Sequence, residues 1–323
     1  MSFLKKVFNV LSDKRDITEP IIHKDFNQKT TIIHALTNLA EGHDPKVDKR
    51  KVEQHLKLFS IGQTGESSVM FELKNSLLPI VILHDVNIEY EDYKAQLDFV
   101  IVTHKFILVI EVKKLFGNIK VTDKGEFQRV ITKNNKIINK EGMYSPINQV
   151  ERHVAILEKL LKSKNIINKC PIRYAITFAN PKTIIDISAK APGHIQSSVI
   201  RHDQIKAFLT SELMKDSSVF MLDDMVLNIA EAIKENCQQK EFDKRQYLLH
   251  NIETEDLLVE ENNLPSISDK NSLKNALINY RSKKAKQLEC VPYHVFTNKT
   301  LDEMFESEHP PFIALLHRIE AKL

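Results

Sequence analysis

Phe106-Ile-Leu-Val-Ile-Glu111-Val-Lys113 is an apolar, β-branched run that closes by presenting a carboxylate and an amine two residues apart. The two-residue period of a strand puts Glu111 and Lys113 on one face. Upstream, Leu97-Asp98-Phe-Val-Ile-Val102 opens a second such run with an acid, and only Thr103, His104 and Lys105 separate the two runs. A hairpin would lay Asp98 beside the Glu111-Lys113 end. Two carboxylates converging with a lysine are what a divalent cation and a phosphodiester need. A hard cation such as Mg²⁺ takes oxygen from one or two carboxylates and keeps several waters. Such a cation generates hydroxide and neutralises phosphate charge, while Lys113 positions or deprotonates the water or stabilises the developing anion. Taken singly these pieces are ordinary: a Glu-x-Lys strand end is usually a solvated tip, and an Asp at a strand start is commonly a turn residue. His104 reads as an exposed turn residue rather than a ligand. The combination gains weight from Gly65-Glu66, expected to head a helix upstream, and from Ser145-Pro-Ile-Asn148-Gln149, expected to head one downstream.

The elements that must hold these residues follow from periodicity. Residues 47–78 carry Val52, Leu56, Phe59, Val69, Met70, Leu73 and Leu77 at helical spacing. Strand-like runs follow at Ile80–Val86, Leu97–Val102, Phe106–Val112, Gly117–Val121 and Phe127–Ile131, with Asp123-Lys-Gly125 as a turn. Helical spacing returns at Ile147–Leu161 through Val150, Val154, Leu157 and Leu161. Tyr174–Phe178 and Ile195–Ile200 read as further strands, and 202–239 as mostly helical. The stretch Glu253–Lys270 has the composition of an acidic linker. Beyond it the helical spacing of Leu273, Leu277, Tyr280 and Leu288 breaks at Cys290-Val-Pro292, and Thr300 with Glu303 restarts it as a capping box. The fold class expected is α/β: a mixed sheet flanked by helices, followed by a small all-α module.

Composition sets the outer bounds. The 323 residues balance 46 Lys and Arg against 43 Asp and Glu, with 42% hydrophobic residues, which excludes a disordered or collagen-like chain. A net charge of +3 argues for no partner by itself. Cys170, Cys237 and Cys290 form no CxxC pair and no disulfide framework, which fits a cytoplasmic protein and gives no support for structural zinc. Phe3, Leu4, Val7, Phe8 and Leu11 lie on one helical face, too short to span a bilayer; they read as a helix packed on the domain, with a membrane-surface helix as the alternative. No stable membrane insertion is expected. With no Gly-x-x-x-x-Gly-Lys-Ser/Thr, an ATPase is not expected either, so a helicase working with this protein would be a separate chain.

The ordered series Gly65-Glu66, Gln96-Leu-Asp98, Val109-Ile-Glu111-Val-Lys113 with Gly117 after it, and Pro146-Ile-Asn-Gln149 resembles the nuclease-related domain, NERD, over roughly residues 58–180. That family is assigned to the PD-(D/E)XK nuclease superfamily. The resemblance implies a restriction-endonuclease-like mixed sheet and a Mg²⁺- or Mn²⁺-dependent attack on DNA. It further implies Asp98 and Glu111 as metal ligands, Lys113 as the catalytic lysine, Glu66 as a helix-borne acid and Gln149 as the polar residue of the last motif. Toward the C-terminus Leu273, Leu277, Tyr280-Arg281, Ala285, Val291-Pro-Tyr-His-Val-Phe296, Thr300-Leu301 and 310–316 resemble the helicase and RNase D C-terminal (HRDC) domain, a helical bundle that often binds DNA or RNA. Tyr280 stands where that family frequently has tryptophan. The resulting organisation is a helical extension over 1–57, a NERD-like domain over 58–200, a connector and acidic linker over 201–265, and an HRDC-like domain over 266–323.

Nucleic acid is the partner these residues suit, DNA first and RNA second. Lys114, Lys120 and Arg129, in a segment that also holds Lys124, Lys133, Lys136 and Lys140, would track phosphates, as would Arg281, Lys283 and Lys284. A solvated basic face is the competing reading of both groups. Two functions follow: a metal-dependent deoxyribonuclease, or a protein that keeps the scaffold and binds DNA or a partner without cutting. A third, an interaction protein docking through its first helix, rests on the Phe3 to Leu11 stripe alone. Oligomeric state is left open.

Overall fold

The two apolar runs form the centre of a six-stranded sheet in the computed structural model, which describes residues 15–25, 28–134, 136–238 and 242–249, with Ile278, Arg281 and Ser282 besides. The chain divides into two units, Met1–Leu249 and His250–Leu323. In the first, the elements run β1 (Ile21–Lys24), α1 (Gln28–Glu41), α2 (Lys49–Lys74), β2 (Val81–Tyr90), β3 (Tyr93–Val102), β4 (Ile107–Lys113), β5 (Asn118–Val121), β6 (Phe127–Lys133) and β7 (Lys136–Gly142). There follow α3 (Pro146–Ser163), β8 (Ile172–Phe178), β9 (Ile185–Ile187), α4 (Gly193–Ser198), β10 (Val199–Arg201), α5 (Ile205–Met214) and α6 (Asp223–Glu235). The larger sheet has the order β1-β2-β3-β4-β8-β10 and the smaller one β7-β6-β5-β9. Both are mixed: β2-β3-β4 is an antiparallel meander, whereas β1, β8 and β10 add in parallel, as β9 does beside β5.

Strand β4 is an unbroken apolar run because both of its faces are covered. Ile107 and Val109 pack in a cluster with Val150, Leu157 and Leu161 of α3 and Val226, Ile229 and Ile233 of α6. Leu108 and Ile110 join a second cluster with Val69, Met70 and Leu73 of α2 and Ile205 and Leu209 of α5. The helices therefore form one layer on each side of the sheet. Helix α3 starts where the sequence says it should: Ser145 Oγ accepts from the Asn148 amide at 3.3 Å and Pro146 takes the first turn, where its missing N–H costs nothing. Helix α2 starts from Asp48, whose carboxylate accepts from Lys51 N at 3.1 Å.

Several expectations change. Gly65-Glu66 does not head a helix; it lies well inside α2, which is capped at Asp48. The continuous helical spacing from Val52 onward outweighs one interior glycine. Gly65 is required there by close packing, since a Cβ would stand 2.9 Å from Lys114 Cβ. The residues expected as a strand at 195–200 begin as helix α4 and become β10 only at Val199, because the Ile195 amide bonds back to Pro192 O and starts a turn. His104 is buried at 7% rather than exposed. Its Nδ1 is 2.5 Å from Arg15 Nη1, its ring tilts on Phe220 at 4.8 Å, and its carbonyl accepts from Met221 N at 2.7 Å. Distant chain folded over the turn removes it from water, which spacing alone does not reveal.

The boundary drawn between residues 57 and 58 falls inside α2. Residues 202–239 hold α5 and α6 with an intervening loop. Cys170 and Cys237 are free thiols, and burial pushes that of Cys170 up to about 11. Among the described residues no helix is long and apolar enough to cross a membrane. The Phe3 to Leu11 stripe, the acidic linker, Cys290, Thr300 and nearly all of the HRDC-like stretch, with Lys283 and Lys284, lie outside the described residues.

Candidate active site

The register between β3 and β4 decides the site. Phe99 pairs with Ile110 and Val102 with Ile107, so one further step of the ladder would set Asp98 opposite Glu111. Instead the ladder ends there, and Asp98 Oδ2 accepts from the Val112 amide at 2.8 Å. That bond fixes the carboxylate at the mouth of the meander. Asp98, Glu111 and Lys113 line one cleft of about 510 Å³ with Gln149 and His153 of α3 and Asn87, Glu89, Lys94 and Gln96 of the β2-β3 hairpin.

Within the cleft Lys113 Nζ donates to Glu111 Oε1 at 2.7 Å and to Gln149 Oε1 at 2.9 Å. Gln149 occupies the first turn of α3, so the Ser145 cap that starts the helix also places the amide over the lysine. Glu111 is 3% exposed. Burial works to raise its carboxyl, but His153 and the Lys113 ammonium beside it prevail and hold it below its ordinary value. His153 stands one turn beyond Gln149 on the same helix face, with Nδ1 3.6 Å from Glu111 Oε2. At that distance neither atom has a hydrogen-bond partner among the described residues, although both are buried. His153 is the site residue that sequence reasoning missed; its signal was the four-residue step from Gln149.

Glu66 is elsewhere. It belongs to α2, is 2% exposed, and its Oε2 lies 3.1 Å from His84 Nε2, whose ring stacks on Phe99 at 4.5 Å. It does not line the cleft, whereas Asp98, Glu111, Lys113 and Gln149 do.

Residues 61–179 match the nuclease-related domain family, NERD. The NERD span begins within α2, ends just after β8 and contains every cleft residue named above. No curated protein and no solved structure matches the chain. The match relates this span to nucleases and is in keeping with a nucleic-acid partner.

The basic residues after Lys113 do not share one surface. Lys114 packs its Cβ against Gly65 of α2, on the side opposite Lys113. Lys120 pairs with Gln128, and Ile119 with Arg129, so Lys120 and Arg129 point to opposite faces of the small sheet. Lys120 and Arg129 each meet an acid brought across by a neighbouring strand: Lys120 lies 3.3 Å from Asp186 of β9, and Arg129 pairs with Glu141 of β7. Arg281 belongs to the second unit.

Proposed function

We propose that the NERD span is a metal-dependent nuclease of the PD-(D/E)XK type that hydrolyses DNA phosphodiester bonds on a restriction-endonuclease-like sheet, with Mg²⁺ or Mn²⁺ as cofactor. The observation that supports it best is the convergence of Asp98, Glu111, Lys113 and Gln149 on one cleft from two strands and a helix start. The donor set suits a hard divalent cation: Glu111 Oε2 is buried without a hydrogen-bond partner among the described residues, and Asp98 supplies a second carboxylate in the same cleft. Bound there, the cation would lower the pKa of a water and offset charge on the phosphate.

The protein's own groups do the remaining work. Asp98, held by the Val112 amide, and Glu111, held by Lys113, present oxygens from fixed positions, so little reorganisation is needed on binding. Two donors of Lys113 Nζ are engaged by Glu111 and Gln149, and the third is directed to the attacking water or a phosphate oxygen. Gln149 keeps the amine from folding entirely onto Glu111. Glu66, behind the sheet, supports the scaffold in this reading. An HRDC-like module would add affinity for nucleic acid, and a separate helicase could supply opened strands.

The test is cleavage of labelled linear, nicked and single-stranded DNA, with RNA in parallel, by wild type, Glu111→Ala and Lys113→Ala in Mg²⁺, Mn²⁺ or EDTA. Metal-dependent cutting lost in both variants is the expected outcome. Binding without cutting by wild type would transfer the reading to a non-catalytic DNA-binding scaffold.

A further inference from the structure

The outer edge of the small sheet is built differently from its interior. Lys120 and Arg129 are matched by Asp186 and Glu141, but Lys133, Lys136 and Lys140 have no acid partner among the described residues. Lys133 and Lys136 stand directly opposite each other at the turn of the β6-β7 ribbon, where like charges are destabilising. β7 is an edge strand with each of its 7 residues exposed, so neither of its faces is covered within this unit. Between its lysines lie Ile137 and Ile138, 64% and 60% exposed. The register steps from Ile131 opposite Asn139 to Thr132 opposite Ile137, which leaves Ile138 opposite no residue. Such a bulge twists a ribbon and re-aims its side chains. Three unmatched cations and two bare aliphatic side chains on one uncovered ribbon gain nothing from the fold. A polyanion with apolar surface between its charges supplies both missing partners.

We propose that the β6-β7 ribbon lies in a groove of duplex DNA, with Lys133, Lys136 and Lys140 on phosphates and Ile137 and Ile138 against sugars and base edges, which makes the duplex the substrate form of this protein. The proposal rests on the reading above that DNA is the partner. The dimensions agree. Paired strands lie about 4.8 Å apart, and β7 spans roughly 24 Å, while the major groove is about 12 Å wide and admits a two-stranded ribbon. Aliphatic side chains are also what groove-binding proteins press between base steps. The ribbon leads directly to the cleft. β7 runs through the exposed Tyr144, whose ring centroid lies 5.6 Å from the Arg152 guanidinium, into the Ser145 cap of α3, and the first turn of that helix carries Gln149. Arg152 thus adds a cation at the junction of ribbon and helix.

The experiment measures, by fluorescence anisotropy in EDTA and over a range of salt, the binding of the full-length chain to a short duplex and to its single strand. Expected is tighter binding of the duplex by wild type. The Lys133→Ala/Lys136→Ala/Lys140→Ala variant should bind duplex about tenfold more weakly or worse, with a log-log salt slope shallower by about 3. The variant Lys164→Ala/Lys169→Ala/Lys206→Ala removes the same charge from exposed positions at the far end of α3, the loop after it and α5, and should lose less than about twofold. Ile137→Ser/Ile138→Ser should erase the preference for duplex. In wild type, which requires no variant to fold, duplex should protect Lys133, Lys136 and Lys140 from acetylation. Equal losses in the two triple variants, preference of wild type for single strands, or absence of protection each overturns the proposal. So does dimerisation of the DNA-free chain that Ile137→Ser/Ile138→Ser abolishes, which assigns the ribbon to a second copy. If the ribbon variants bind and cut as wild type does, the ribbon falls and the nuclease reading stands. If wild type binds through the ribbon and never cuts with metal present, the nuclease reading falls and the ribbon stands. A wild type that binds no DNA removes both.

Discussion

Two Glu–His pairs among the described residues lie on opposite faces of one sheet. On the α2 face Glu66 meets His84 at 3.1 Å, hydrogen-bonded and stacked on Phe99. On the α3 face Glu111 meets His153 at 3.6 Å, beyond hydrogen-bond reach, with the cleft beside them. The two glutamates are almost equally buried, at 2% and 3%. Burial therefore does not distinguish a structural acid from a chemically available one. Partner geometry does: the first pair is closed by a hydrogen bond, and the second is a looser contact that opens on the cleft.

The widest separation between the two pairs should appear in activity. Glu111→Gln is expected to reduce cleavage by roughly 10³-fold, as removal of a group that stabilises developing charge does, and Lys113→Ala by a similar factor. Glu66→Gln should leave cleavage per folded molecule within a few-fold in the same gel assay. Equal losses in Glu111→Gln and Glu66→Gln would break the comparison. Stability should show the reverse order. Glu66→Ala leaves His84 buried without its acid and should cost about 3 kcal/mol in urea unfolding, more than Glu111→Gln costs.

Smaller effects sharpen the picture. Gly65→Ala brings a methyl to 2.9 Å from Lys114 Cβ, next to the cleft lysine. Overpacking should outweigh the helix-propensity gain and destabilise by about 1 kcal/mol, with Lys113 displaced and cleavage slowed. The Glu111 carboxyl lies below its ordinary value near 4.5, so its ionised form contributes stability above that pH, and the contribution fades as pH falls through the lower folded-state value. Unfolding curves of wild type and Glu111→Gln should therefore converge as the pH is taken below 4.5. Last comes a surface control: Lys120 and Asp186 are half exposed or more, and Asp186→Ala should change stability by less than about 0.5 kcal/mol.

What could be read from residue order was local. The β3-β4 hairpin and the start of α3 are signalled by short-range patterns, an alternating apolar run and a Ser-Pro cap, and the four cleft residues Asp98, Glu111, Lys113 and Gln149 ride on them. What was hidden depends on distant chain. Strand β1 is four residues long and exists by parallel pairing with β2. Strand β7, Lys-Ile-Ile-Asn-Lys-Glu-Gly, is exposed along its whole length and has no alternation to betray it. The acids that meet Lys120 and Arg129 could not be read from the basic segment itself, because Asp186 and Glu141 arrive from other strands. Glu66 was grouped with the other acids by order along the chain, but α2 crosses the far side of the sheet.

The Lys113–Gln149 hydrogen bond joins residues 36 apart, and the chain between them makes β5, β6 and β7. Three of the small sheet's four strands are thus an excursion whose exit and return are clasped together at the cleft. Opening that excursion as a cooperative unit strains the clasp, and tightening the clasp restrains the excursion. A small anion gripped by Lys113 and Gln149 would therefore slow amide exchange in β6, in a strand it never touches.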